Sequence, residues 1–230
     1  MNNCTKQPQN MLDKKYQENI VPAEKQNGKN IYLGNSCGSP KVLFVGNSVT
    51  KHGVKEDIGW LRDCGMAASC AECDYVHIVA EEFRKKHPQS SFGILQVASF
   101  ERNFDKNFNI LEEYREVIDW QADIVILFFG ANVQANYDAG LPHKANFGAE
   151  YEKLRNLLNL GNTVFYHVEG FFLRPEVTND RYEVCQKYHD TWISLEGIND
   201  LAETHGLFNH PNDLGMKLIA ERILENIITE

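Results

Sequence analysis

Lys41-Val42-Leu43-Phe44-Val45-Gly46-Asn47-Ser48-Val49-Thr50 decides the fold. Four apolar residues in a row, two of them β-branched, suit a strand buried on both faces, as in a parallel sheet. The run stops at Gly46-Asn47, residue types that tolerate tight and left-handed turns. Ser48 follows at once. In open α/β sheets, ligands bind beyond the carboxyl ends of the strands, so Ser48 stands where a nucleophile would be presented. The same serine could instead cap a following helix.

Downstream, the pattern alternates. Asp74 to His87 has apolar residues at helical spacing, ends on Lys85-Lys86-His87, and is stopped by Pro88. Phe92 to Val97 reads as a second strand, Ile110 to Trp120 as a helix, and Ala122 to Phe129 as the strongest strand. A helix over 147–159, a strand from Thr163 to Val168, a helix from Arg181 to His189 and a short strand from Thr191 to Leu195 come next. Asn212 to Ile228 closes the chain with an apolar helical stripe. This alternation predicts an α/β fold, a three-layer αβα sandwich around a mostly parallel five-stranded sheet in the order 2-1-3-4-5. Residues 1–40 read as a polar N-terminal arm ending in an edge strand near Ile31-Tyr32-Leu33, and 41–230 as one domain.

Composition limits the partners. The 230 residues suit one α/β domain. A net charge of -9 and a pI near 5.4 argue against nucleic acid and against an anionic membrane surface. No apolar stretch is long enough to span a bilayer, and Met1 to Asn10 lacks the apolar core of an export signal. The expected location is cytoplasmic, although a chain trimmed of such a signal would look the same. Composition does not give the oligomeric state. Cysteines stand at 4, 37, 64, 70, 73 and 185. Cys70 and Cys73 have CxxC spacing, but nothing completes a four-ligand zinc set, so reduced thiols and no metal or other cofactor are expected.

Three polar groups sit at strand ends or loops that could converge: Gly46-Asn47-Ser48, Gly130-Ala131-Asn132, and Asn209-His210-Pro211-Asn212 before the last helix. Ester hydrolysis needs a nucleophile, a base within reach and oxyanion donors. Ser48, His210 and Asn132 supply one of each, with the Ser48 N–H as a further donor. Asn132 could equally satisfy its own turn, and His210 could cap the last helix. Asn47, Trp60, Met66 and Glu169 are candidates for substrate contact. For Trp60 and Met66, packing of the long loop from His52 to Ser69 is an equal reading. His167 reads as a core histidine and His52 as a solvated helix start, while His143 and Arg174 lie in loops on the same side.

These blocks, in this order and spanning residues 42–228, resemble the SGNH hydrolases, also called GDSL esterases or lipases. The resemblance implies a flavodoxin-like αβα fold, Ser48 as nucleophile, His210 as general base, Asn132 as oxyanion donor, and no metal. Three departures stand out. Asn47 replaces the usual aspartate. The second block, Val97-Ala98-Ser99-Phe100, lacks its glycine, which makes Ser99 or its neighbouring backbone a substitute donor. The position of the usual acid, three residues before the histidine, is Leu207. His210 would then be oriented by Asp200, Glu203, Glu196 or a backbone carbonyl. By analogy with bacterial relatives, the expected reaction is hydrolysis of a small O-acyl ester, acetyl on a carbohydrate, through an acyl-enzyme on Ser48. The alternatives are a lysophospholipase- or thioesterase-type lipid esterase, and a non-catalytic carbohydrate-binding module on the same fold.

Overall fold

The structure is a computed structural model that describes residues 30–134, 137 and 146–228. Most of the N-terminal arm, Cys4 and His143 lie outside the described residues. In chain order the elements are β1 (Ile31–Leu33), β2 (Lys41–Gly46), α1 (Tyr75–Lys86), β3 (Ser91–Gln96), α2 (Ala98–Asn103), α3 (Ile110–Glu113), α4 (Arg115–Trp120) and β4 (Ile124–Phe128). They are followed by α5 (Phe147–Leu157), β5 (Val164–Val168), α6 (Pro175–Tyr188), β6 (Thr191–Ile193) and α7 (Asp213–Ile227).

The strands form one sheet in the order β1-β3-β2-β4-β5-β6. The last five are parallel and reproduce the expected 2-1-3-4-5 order, and β1 adds an antiparallel edge against β3. Strand periodicity divides the core. Val42, Phe44, Ile126 and Phe128 face one layer with Val79 of α1 and Ile219 of α7. Leu43, Val45, Val125 and Leu127 face the other, with Phe100 of α2, Val117 of α4, Tyr151 of α5 and Val177 of α6. Helices therefore cover both faces, as a sheet of continuous apolar strands requires.

Three expectations need correction. The helix read over Ile110–Trp120 is two pieces, because Tyr114 leaves helical geometry at φ -119°. Helix α6 starts six residues earlier than Arg181, with Pro175 in its first turn, where the missing N–H costs nothing. Helix α2 was not foreseen, since Ala98-Ser-Phe-Glu-Arg-Asn103 is too short and polar to show a period. The thiols also differ from the all-reduced reading: Cys70 is disulfide-bonded, while Cys37 and Cys185 are free thiols.

Candidate active site

Strand β2 delivers Ser48 through a turn with little freedom. The Asn47 carbonyl accepts from Thr50 N (3.0 Å) and Lys51 N (2.9 Å), and the Ser48 carbonyl accepts from Met66 N (2.8 Å). Thr50 Oγ1 bonds Tyr75 OH at 2.7 Å in the core. A Cβ on residue 46 would lie 1.7 Å from Thr50 Oγ1, so the turn closes only over glycine.

The loop before α7 brings His210. His205 and Pro211 form a bridge, Asn212 N donates to Thr204 O (2.8 Å), and Gly206 N donates to His210 O (2.7 Å). Asn212 caps α7 by accepting from Gly215 N at 3.1 Å. His210 Nε2 lies 2.8 Å from Ser48 Oγ. Its Nδ1 lies 2.9 Å from the Phe208 carbonyl oxygen. A carbonyl only accepts, so Nδ1 carries the proton and Nε2 is left as the acceptor for the serine hydroxyl. No carboxylate bonds His210 among the described residues. Asp200, Glu203 and Glu196 are all exposed, and the partner found at His210 Nδ1 is the carbonyl. The geometry comes from two successive left-handed residues, Phe208 (φ 56°) and Asn209 (φ 58°). Neither is glycine, and such conformations cost free energy that surrounding structure must offset. The Phe172 ring meets the imidazole edge-on at 5.1 Å between centroids.

Asn132 follows β4. Its Nδ2 donates to Glu101 Oε2 at 2.7 Å, and its Oδ1 accepts from Arg102 at 2.9 Å. One amide hydrogen remains without a protein acceptor among the described residues. The Ser48 N–H is likewise unbonded there. Buried Glu101 also accepts from Asn47 Nδ2 (3.0 Å), Gly130 N (2.5 Å) and Asn132 N (3.3 Å). It thus ties the nucleophile turn to the Asn132 turn. Gly130 has φ 136°, and a Cβ there would lie 2.8 Å from Val177 Cγ1. Arg174 fixes the far side by donating to Ala131 O and Gln134 O.

In the second block, Val97 N donates to Gly46 O at 2.7 Å, which draws the start of α2 against β2. Ala98 N is occupied by Gln96 Oε1 (3.1 Å), leaving the N–H of exposed Ser99 without a protein acceptor among the described residues.

The candidate substrate contacts also have internal roles. Trp60 is fully buried, with Nε1 on His52 O, and Met66 packs in the same core. Asn47 is buried and bonded to Glu101. Glu169 accepts from Ser194 Oγ and Leu195 N, joining β5 to β6. His167 is a core histidine between Tyr151 OH and Asp190. Glu101, Phe208 and Phe172 were missed by sequence reasoning. Only Glu101 left a trace there, as an acid immediately after the glycine-less block.

Burial holds the His210 imidazole below its ordinary value of 6.5, the Phe208 bond opposes this, and nearby His52 lowers it further whenever it is protonated. His210 acts as a base only when neutral. A lowered value keeps it neutral into mildly acidic solution. The acid limb of kcat/KM is therefore expected below pH 6.5, and His52→Gln should move it upward. A pH–rate profile with a wild-type midpoint above 6.5 would contradict this.

Among solved structures, a two-domain esterase active on acetylated mannans aligns over 84% of this chain at 18% identity and a TM-score of 0.57. The alignment covers 52% of that protein, so this chain spans about half its length. A catalytic mutant of Axe2, an acetylxylan esterase from Geobacillus stearothermophilus, aligns over 82% of this chain and 94% of its own, at 15% identity and a TM-score of 0.53. A protein described as a GDSL-like lipase from Bacteroides uniformis aligns over 84% and 98%, at 17% identity and a TM-score of 0.55. These likenesses show a shared fold. No protein-family model matches the chain, and no curated protein matches it. No helix among the described residues is long and apolar enough to cross a membrane.

Proposed function

We propose that this protein is a serine esterase of the SGNH type that removes a small acyl group, most simply acetyl, from a carbohydrate. The observation that carries the reading is the 2.8 Å contact between Ser48 Oγ and an imidazole whose tautomer is set by a carbonyl. Ser48 Oγ attacks the acyl carbonyl carbon as His210 Nε2 takes its proton. The negative oxygen of the tetrahedral intermediate is met by the Ser48 N–H and the free Asn132 amide hydrogen, with the Ser99 N–H as a third candidate. As the intermediate collapses, His210 returns the proton to the leaving alkoxide. Water, deprotonated by His210, then releases the acid and restores Ser48.

The acyl preference is supported by a small apolar niche of ≈ 10 Å³ beside Asn47 and Ala131, with room for about one methyl- or water-sized group. Val49, Phe128, Ala131, Phe171 and Phe172 line it. It offers no groove for a long acyl chain, which weighs against a lipid esterase. The carbohydrate preference draws on the neighbours that act on acetylated mannans and acetylxylan.

The test is labelling with a fluorophosphonate, mapped by mass spectrometry. We expect an adduct on Ser48 that largely disappears in His210→Ala, and faster turnover of 4-nitrophenyl acetate than of the octanoate. A folded wild type that takes no label would sink the reading in favour of a binding module.

A further inference from the structure

The nucleophile turn has a second flank. On the side of β1 and β3, away from the apolar niche, lies an open polar pocket of ≈ 210 Å³ lined by Asn30, Tyr32, Lys51, His52, Lys55 and Gln96, among others. Its position is fixed by chain geometry. Gln96 is in register with Gly46, two residues before Ser48, and His52 lies four residues after it. The pocket's residues thus come from the β3 side of β2, where β2 leads into Ser48, and the niche's from the β4 side.

The chemistry of the walls limits what can enter. The Lys51 ammonium is consumed internally, at 2.9 Å from Asp63 Oδ1 and 2.7 Å from Asp63 O, and lies over the Tyr32 ring. Lys55 stands exposed at the rim, 3.9 Å from Asp57. What remains inside is mainly neutral. Gln96 spends Oε1 on Ala98 N and keeps its Nε2 hydrogens. His52 Nδ1 bonds Gly53 O at 2.7 Å, which leaves Nε2 as an acceptor. The Asn30 amide and the Tyr32 hydroxyl have no protein partner among the described residues. An anion would want unpaired cations, and an acyl tail would want apolar walls. Neutral donors and acceptors in alternation suit vicinal hydroxyls.

We propose that this pocket is the leaving-group subsite and that it takes one neutral sugar unit bearing the acylated hydroxyl; the proposal rests on the esterase reading above. The acyl group would then lie toward Phe172 and the alcohol toward Gln96. Gln96→Glu keeps the oxygen that holds Ala98 N and removes the Nε2 donor. Combined with Asn30→Ala, it removes two hydrogen-bonding groups from the pocket.

Two measurements test this. The first is the ratio of kcat/KM for mono-O-acetyl xylobiose to that for 4-nitrophenyl acetate. We expect the double variant to lower this ratio about tenfold, the size of two neutral hydrogen bonds. A ratio unchanged within about twofold would overturn the assignment. The second is a titration of Ser48→Ala with xylobiose followed by amide NMR. Saturable shifts at the Gln96 and Asn30 side chains and at the backbone amides of residues 51–55 are expected, the backbone shifts being lost in the triple variant; no saturable shift, or shifts only elsewhere, overturns the site. Should Ser48-dependent turnover be absent for both esters, the esterase reading alone fails, and the sugar site stands or falls with the titration.

Discussion

Ser48→Ala and His210→Ala are each expected to lower ester turnover by about 10⁴-fold or more, and the double variant by scarcely more than either. The two side chains act as one unit. On the proposed mechanism, no acyl-enzyme forms without Ser48, and without His210 the hydroxyl at 2.8 Å has no group to take its proton. Residual rate would come from the oxyanion donors and from binding. Steady-state kinetics on 4-nitrophenyl acetate, with circular dichroism to show that both variants fold, measure it. A His210→Ala enzyme within tenfold of wild type would remove the base from the mechanism. Leu207→Asp is an instructive companion. It restores an acid three residues before the histidine, at a side chain that is 55% exposed. The Nδ1 proton is already held by the Phe208 carbonyl, so little gain in kcat is expected.

The second large effect is expected at Glu101. Its carboxylate accepts four N–H groups, from Asn47, Gly130 and twice from Asn132. Glu101→Gln presents an NH₂ to some of these donors and frees Asn132 from its fixed orientation. Losing one oriented oxyanion donor costs about 10²–10³ in kcat. KM should change little, because the interaction matters only once charge develops on the oxygen. Stability should also fall, by about 2–4 kcal/mol, since buried donors are left facing a donor. Activity corrected for the folded fraction separates the two consequences. If kcat per folded molecule stayed near wild type, Asn132 would not be the oxyanion donor.

Much of this architecture was legible in the chain. Val42 to Val45 and Ile124 to Phe128 are apolar throughout, and such runs have few options other than central parallel strands. Ser48, Asn132 and His210 could be singled out because each ends a strand or precedes a helix, where open α/β sheets gather their polar groups. Other features carry no such mark. A carbonyl partner for histidine belongs to every residue and to none, so Phe208 could not be distinguished by type. Glu101 is buried by a helix too short to show a period. Trp60 and Met66 sit in a long loop that looks open in sequence. The bridges His52–Cys64 and Lys55–Trp60 fold that loop back on itself and put both side chains in the core.

The choice of a main-chain oxygen to steer His210 has a genetic consequence. A carboxylate partner can be deleted by changing one codon. The Phe208 carbonyl survives any side-chain replacement that leaves the turn intact. The Phe208 side chain, 47% exposed, is therefore open to exchange. The site's vulnerability moves to substitutions that forbid left-handed backbone at 208 and 209, such as proline or β-branched residues, and to insertions or deletions in the 202–212 loop. Damage to the base would then arise from changes in loop shape and length, while its chemical partner cannot be mutated away.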